Sequence, residues 1–119
     1  MAVRPLEAEV AVGDERARVV LHGQLDRDAD HAMADAYSQV AAAGDGPVEL
    51  DFADVDYINS TGIALVVRLL ADARRDRREV RARGLSDHYR EIFRITRLAD
   101  FMTLVDEAPA PAGSEGGRA

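Results

Sequence analysis

Leu6, Ala8, Val10 and Val12 are separated by Glu7, Glu9 and Ala11, the period of two that gives a strand one apolar face. Gly13-Asp14-Glu15 supplies a turn. Ala17, Val19 and Leu21 then alternate with Arg18, Val20 and His22, which predicts an antiparallel hairpin ended by Gly23. The period lengthens at Met33, Ala36, Tyr37 and Val40, a helical face with Asp28 or Asp30 as cap and Gly44 just past its end. Val48, Leu50 and Phe52 return to alternation as a third strand, with Pro47 where a missing N–H does least harm.

Residues Gly62 to about Arg77 read as a second helix, apolar in its first two turns and dense in charge in its last. Val80 to Arg83 forms a short fourth strand closed by Gly84, and Ser86 caps a third helix carrying Tyr89, Ile92, Phe93 and Thr96 on one face. Met102 to Val105 is a last short strand. Two strands followed by alternating helices and strands predict one small α/β domain over residues 1–107, with a mixed sheet of four to five strands, about three helices and parallel pairing across the crossovers. Residues 108–119, with Pro109, Pro111, Gly113, Gly116 and Gly117, bury too little apolar surface to offset their ordering entropy and are expected to be a disordered tail.

Composition narrows the function classes. A chain of 119 residues with 47% apolar content has one modest core. Its net charge of −7 repels phosphate backbones and anionic bilayers, so no nucleic acid and no membrane insertion are expected. The longest mostly apolar run, Ile63 to Ala71, is broken by Arg68 and is too short to span a bilayer. Met1 to Val12 lacks the apolar stretch of a signal peptide, and a cytoplasmic location is expected. The absence of cysteine removes disulfides, thiol nucleophiles and zinc-thiolate sites together.

Most candidate chemistry has an ordinary explanation. His22, His31 and His88 fall on three different elements without ligand spacing. Asp26-Arg27-Asp28-Ala29-Asp30 imitates the start of a calcium loop, but His31 stands where the sharp turn needs Gly and Tyr37 where the bidentate Glu belongs. Arg74, Arg75, Arg77, Arg78, Arg81 and Arg83 are interleaved with Asp72, Asp76 and Glu79 and have no aromatic residues to stack bases, so they read as a solvated face. Without a Gly-rich phosphate loop, a spaced Ser, His and Asp set or carboxylates paired in an apolar setting, the chain reads as a protein that is not an enzyme and holds no cofactor or metal.

The exception is Asn59-Ser60-Thr61-Gly62, between the third strand and the second helix. One cap is enough to start a helix, and three consecutive cap-type side chains are present. If Ser60 is the cap, Thr61 takes the first helical position and projects its hydroxyl outward. A phosphate on Thr61 would then sit in the favourable field of the helix N-terminus, worth roughly 0.3 to 1 kcal/mol.

The segment Asp51-Phe52-Ala53-Asp54-Val55-Asp56-Tyr57-Ile58-Asn59-Ser60-Thr61-Gly62-Ile63-Ala64 resembles the phosphorylation-site region of STAS domains, specifically the bacterial anti-sigma factor antagonists. Gly23-Gln24-Leu25-Asp26 resembles that family's Gly-Glu-Leu-Asp turn, and Gly84-Leu85-Ser86, Ile92-Phe93 and Thr96-Arg97-Leu98 resemble its last core helix and the loop after it. The resemblance implies a STAS-type fold. It also implies a phosphorylated hydroxyl immediately before Gly, which is Thr61 here, with Ser60 as second choice. The implied partners are an anti-sigma factor carrying a GHKL-type serine/threonine kinase domain, from which phosphorylation releases the protein, and a PP2C-type phosphatase that restores binding. Asn59 stands in place of the family's usual Asp and Thr61 in place of its commoner Ser, and a Pro-, Ala- and Gly-rich tail replaces a frequent terminal helix.

The apolar start of the second helix, Ile63, Leu65, Val66, Val67 and Leu69, is wider than one buried stripe needs. The expected docking face comprises Asp26 and Asp28 with Asn59, Ser60, Thr61, Gly62, Ile63 and Val66. Two other readings stay open at this level. One is a STAS adaptor in a lipid-transport or other signalling assembly. The other is a sensor of an anion or nucleotide at the helix N-terminus.

Overall fold

The structure is a computed structural model whose described residues are 4–13 and 16–105. The expected turn residues Asp14 and Glu15 and the expected tail over 108–119 lie outside them. The chain forms β1 (Glu7–Val12), β2 (Ala17–Leu25), a 3-10 turn (Arg27–Ala29), α1 (Asp30–Ala43), β3 (Val48–Ile58), α2 (Ser60–Arg75), β4 (Val80–Arg83), α3 (Asp87–Ile95), a second 3-10 turn (Leu98–Phe101) and β5 (Thr103–Val105). The sheet runs in the order β1-β2-β3-β4-β5. β1 is antiparallel to β2 and every later pair is parallel, as a helix between consecutive strands requires.

Alternation sets the layers. Ala17, Val19, Leu21 and Leu25 of β2, Val48, Leu50 and Phe52 of β3, and Val80 and Ala82 of β4 are buried, together with Met33, Tyr37 and Val40 of α1 and Val66, Leu69 and Leu70 of α2. The residues between them line the opposite sheet face, where charge is paired across strands. The buried Glu49 lies between Arg18 (3.0 Å) and Arg83 (3.4 Å), so its carboxylate keeps partners that offset its desolvation. α1 and α2 are tied by Tyr37, whose hydroxyl donates to Asp76 Oδ2 (2.7 Å). Burial and that carboxylate push the phenol up to about 12.

Two strands outrun their expected ends. β2 continues through Gly23 to Leu25, because Gly23 at φ +103 lets the N-terminal segment approach where a Cβ would lie 2.5 Å from the Pro5 carbonyl oxygen. β3 continues past Phe52 to Ile58 through two bulges. Val20 pairs with Asp51 but His22 with Asp54, and Gly23 pairs with Val55 but Gln24 with Tyr57, so β3 carries an extra residue at each place. The bulges break the period of two, which hides this half of the strand from pattern reading. Beyond Asp51, paired with Arg83, β3 has only β2 as its strand neighbour among the described residues.

The start of α1 also differs from expectation. Neither Asp28 nor Asp30 caps it; Asp26 Oδ1 accepts the Asp28 N–H (3.0 Å), capping the 3-10 turn that leads into α1. Three of the six arginines in the cluster are engaged in ion pairs, Arg75 with Asp72, Arg81 with Glu79 and Arg83 with Glu49. Arg78 departs from a solvated face altogether. It is buried, donating from Nη1 to the Val40 carbonyl (2.9 Å) and from Nε to that of Gly46 (2.8 Å), and so satisfies the C-terminal end of α1.

Candidate phosphoacceptor junction

The β3–α2 junction is built around Asn59. Its Oδ1 accepts the Gly62 N–H (2.8 Å) and its carbonyl accepts the Ile63 N–H (2.9 Å), the geometry of a helix N-cap. The cap is therefore Asn59, one residue before the expected Ser60. Ser60 and Thr61 occupy the first two helical positions and both are exposed. Among the described residues neither hydroxyl has a hydrogen-bond partner, because the cap already serves the backbone N–H within its reach.

Gly62 explains why the helix begins here. It is buried beneath the end of β2, and a Cβ at this position would collide with the Leu25 carbonyl oxygen. The same carbonyl accepts the Asn59 N–H (3.2 Å), while Tyr89 of α3 accepts the Ile58 N–H through its hydroxyl (3.0 Å). The junction is thus pinned by β2 on one side and α3 on the other. Phe52 packs edge-on against Phe93 with ring centroids 5.9 Å apart, fixing α3 to β3 at the heart of the core.

Since Leu25 runs straight into Asp26, the turn bearing Asp26 and Asp28 lies against α2, and Asp30 pairs with Arg68 across the two helices (3.6 Å). The structure therefore brings together Asp26, Asp28, Asn59, Ser60, Thr61 and Gly62. Ile63 is half-buried. Val66 does not belong to an accessible face: it is 0% exposed and faces the sheet. Val67 (46% exposed) and Tyr57 (49%) supply the exposed apolar surface near the hydroxyls instead. The first turn of α2 contains no acidic residue, so nothing in it competes with an added anion for the positive end of the helix dipole.

Sequence reasoning missed a second cluster, on the flank of the same strand. Arg4 donates to both bulge carboxylates, with Nη2 3.1 Å from Asp54 Oδ1 and 2.8 Å from Asp56 Oδ1. His22 adds Nδ1 at 2.6 Å from Asp54 Oδ2, and its Nε2 lies 3.3 Å from Glu9 Oε1. The hydrogen bonds from Arg4 and then His22 draw the Asp54 carboxyl down to about 2, and those to Asp54 and Glu9 raise the His22 imidazole above its ordinary value. Arg4 and Asp54 are 50 positions apart in sequence, and they meet only in the folded, bulged register.

Among the described residues no group of three or more His, Cys, Asp or Glu side chains could hold a metal ion. No helix among them is long and apolar enough to cross a membrane.

The structure is similar to that of the anti-sigma factor antagonist SpoIIAA in its unphosphorylated form, with a TM-score of 0.66 and 17% identity over 85% of this chain and 89% of that one. It is similar to an anti-sigma factor antagonist from Mycobacterium paratuberculosis, with a TM-score of 0.63 and 19% identity over 83% and 84%. A third similar structure is the Bacillus cell fate determinant SpoIIAA in its phosphorylated form, with a TM-score of 0.59 and 19% identity over 84% and 92%. At these identities the likeness is one of fold. No curated protein sequence matches the chain. The family model described as Mlab, STAS domain, matches residues 8–106, nearly the whole described chain, and the protein belongs to this STAS-domain family.

Proposed function

We propose that the protein is an anti-sigma factor antagonist that works by phosphorylation-controlled partner switching. Unmodified, it binds an anti-sigma factor that carries a GHKL-type serine/threonine kinase domain. Phosphorylation of Thr61 releases it, and a PP2C-type phosphatase restores binding. The protein itself performs no catalysis, and the nucleotide belongs to its partner.

The observation that carries this reading is the cap. Because Asn59 supplies the side-chain cap, Ser60 and Thr61 are exposed hydroxyls without a hydrogen-bond partner among the described residues. Capping no longer separates the two, so the choice of Thr61 rests on its place directly before the buried Gly62, the position that the family resemblance marks. Solved relatives of the same fold include SpoIIAA in both an unphosphorylated and a phosphorylated form, which is consistent with a scaffold that tolerates the modification.

The docking face consists of the hydroxyls, the turn at Asp26 to Asp28, and the partly exposed Tyr57, Ile63 and Val67. A phosphate adds roughly −1.5 to −2 charge, and an unpaired charge buried in an interface costs on the order of 3 to 5 kcal/mol. That corresponds to roughly a hundred- to several-thousand-fold loss of affinity. Calorimetric titration of the purified kinase partner tests it: Thr61→Ala should bind nearly as the wild type does and Thr61→Glu much more weakly. Equal affinities for the two variants would contradict an electrostatic release.

A further inference from the structure

The second half of β3, which delivers Asn59, Ser60 and Thr61, is poorly supported by the sheet. It has lost β4 as a neighbour after Asp51, and its pairing with β2 is interrupted twice. Each bulge region presents a carboxylate, Asp54 and Asp56, and both are held by one guanidinium from the segment preceding β1. Pro5 adds a single bridge to Gln24, and Gln24 N–H donates to the Arg4 carbonyl (3.0 Å), so Arg4 is fixed to β2 by its backbone while its side chain grips β3. His22 ties the Asp54 carboxylate to β2 a second time.

From this arrangement we propose that Arg4 and His22 are positioning residues for the phosphoacceptor junction: they fasten the bulged strand to β2 and so fix where Asn59, Ser60 and Thr61 leave the sheet. This inference rests on the reading of that junction as the modified site. The fastening is graded by protonation. An imidazolium between Asp54 and Glu9 donates from both ring nitrogens to carboxylates, whereas neutral His22 donates from only one. The charged groups facing His22 are Glu7, its register partner on β1, Glu9 on β1, Asp54 on β3, and Arg4 beyond Asp54. Three of these four are carboxylates, so protonation tightens the cluster instead of disrupting it.

Amide hydrogen exchange measured by NMR on the full chain tests the proposal without any kinase. The informative probes are the Ile58 and Asn59 N–H groups, whose acceptors are Tyr89 Oη and the Leu25 carbonyl. After correction for intrinsic exchange, their protection should fall roughly two- to fivefold as pH rises through the His22 titration, the range expected for exposed charge pairs. Arg4→Ala should lower it similarly at pH 6, and His22→Gln should abolish the pH dependence. Amides of β4 should change little in each case. Protection at Ile58 and Asn59 that ignores pH and Arg4→Ala overturns the proposal, and so does an equal loss throughout the sheet. Failure of Thr61 to accept phosphate would reject the functional reading while leaving these exchange results intact.

Discussion

A single carboxamide decides how the junction is used. Asn59 reaches the Gly62 N–H, and a cap of this kind contributes about 0.5 to 2 kcal/mol, so Asn59→Ala should lower stability by that amount in chemical denaturation. Asn59→Asp keeps the acceptor and adds a charge at the positive end of α2, for a gain of about 0.3 to 1 kcal/mol. The same variant asks whether the acid that the family resemblance implies here matters to the proposed kinase: a faster phosphorylation rate at unchanged fold would assign it that role. Gly62 is less forgiving. A methyl group there meets the Leu25 carbonyl, and Gly62→Ala should destabilise by about 1 to 3 kcal/mol, with the loss concentrated at the β3–α2 junction when read by hydrogen exchange.

At the level of elements, α2 ends as purposefully as it begins. Arg77 adopts φ +60, Arg77 N–H donates to the Arg74 carbonyl (3.1 Å), and Arg78 N–H donates to that of Ala73 (2.8 Å), the paired bonds of a Schellman motif. Glycine is the usual residue at that left-handed position, and a non-glycine residue pays roughly 1 to 2 kcal/mol there. Arg77→Gly should therefore raise the melting temperature; no change or a decrease would show that the Arg77 side chain contributes more than its strain costs. The short β4, bounded as expected at Val80 and Arg83, and α3, capped by Ser86 on the Tyr89 N–H (3.2 Å), were legible because each has an unbroken period and its own terminal signal. The extension of β3 was illegible for the opposite reason. Two extra residues shift Asp54, Val55, Asp56 and Tyr57 out of phase, so a paired strand has the polar pattern of a loop. The sequence points to Ser60 instead of Asn59 as the cap for a related reason: with alternation ending at Phe52, the exact start of the helix has no anchor, and the buried contact of Gly62 with Leu25 that supplies one is a tertiary fact.

For the molecule as a whole, the net charge is −7; the β3 acids Asp54 and Asp56 are paired with Arg4, and the first turn of α2 contains no acid of its own. The polar cluster gives stability a pH window. The contribution of Asp54 is complete above its ordinary value of 3.8 and is lost as pH falls toward about 2. That of His22 is complete below its ordinary value of 6.5 and is lost as pH rises through the raised value of the folded state. The difference in melting temperature between wild type and His22→Gln should therefore be largest at about pH 4 to 6.5 and shrink above it; a difference that is flat from pH 5 to 9 would contradict this assignment. The STAS fold was readable from the motif at residues 51–64, whereas the Arg4 cluster required the folded register to bring its members together.

Thr61 is the residue through which we propose the junction to be switched. The most direct measurement is site mapping by mass spectrometry after incubation with the cognate kinase and ATP. One phosphate is expected, on Thr61, lost in Thr61→Ala and retained in Ser60→Ala. Phosphate confined to Ser60, or absent from both hydroxyls, would contradict it.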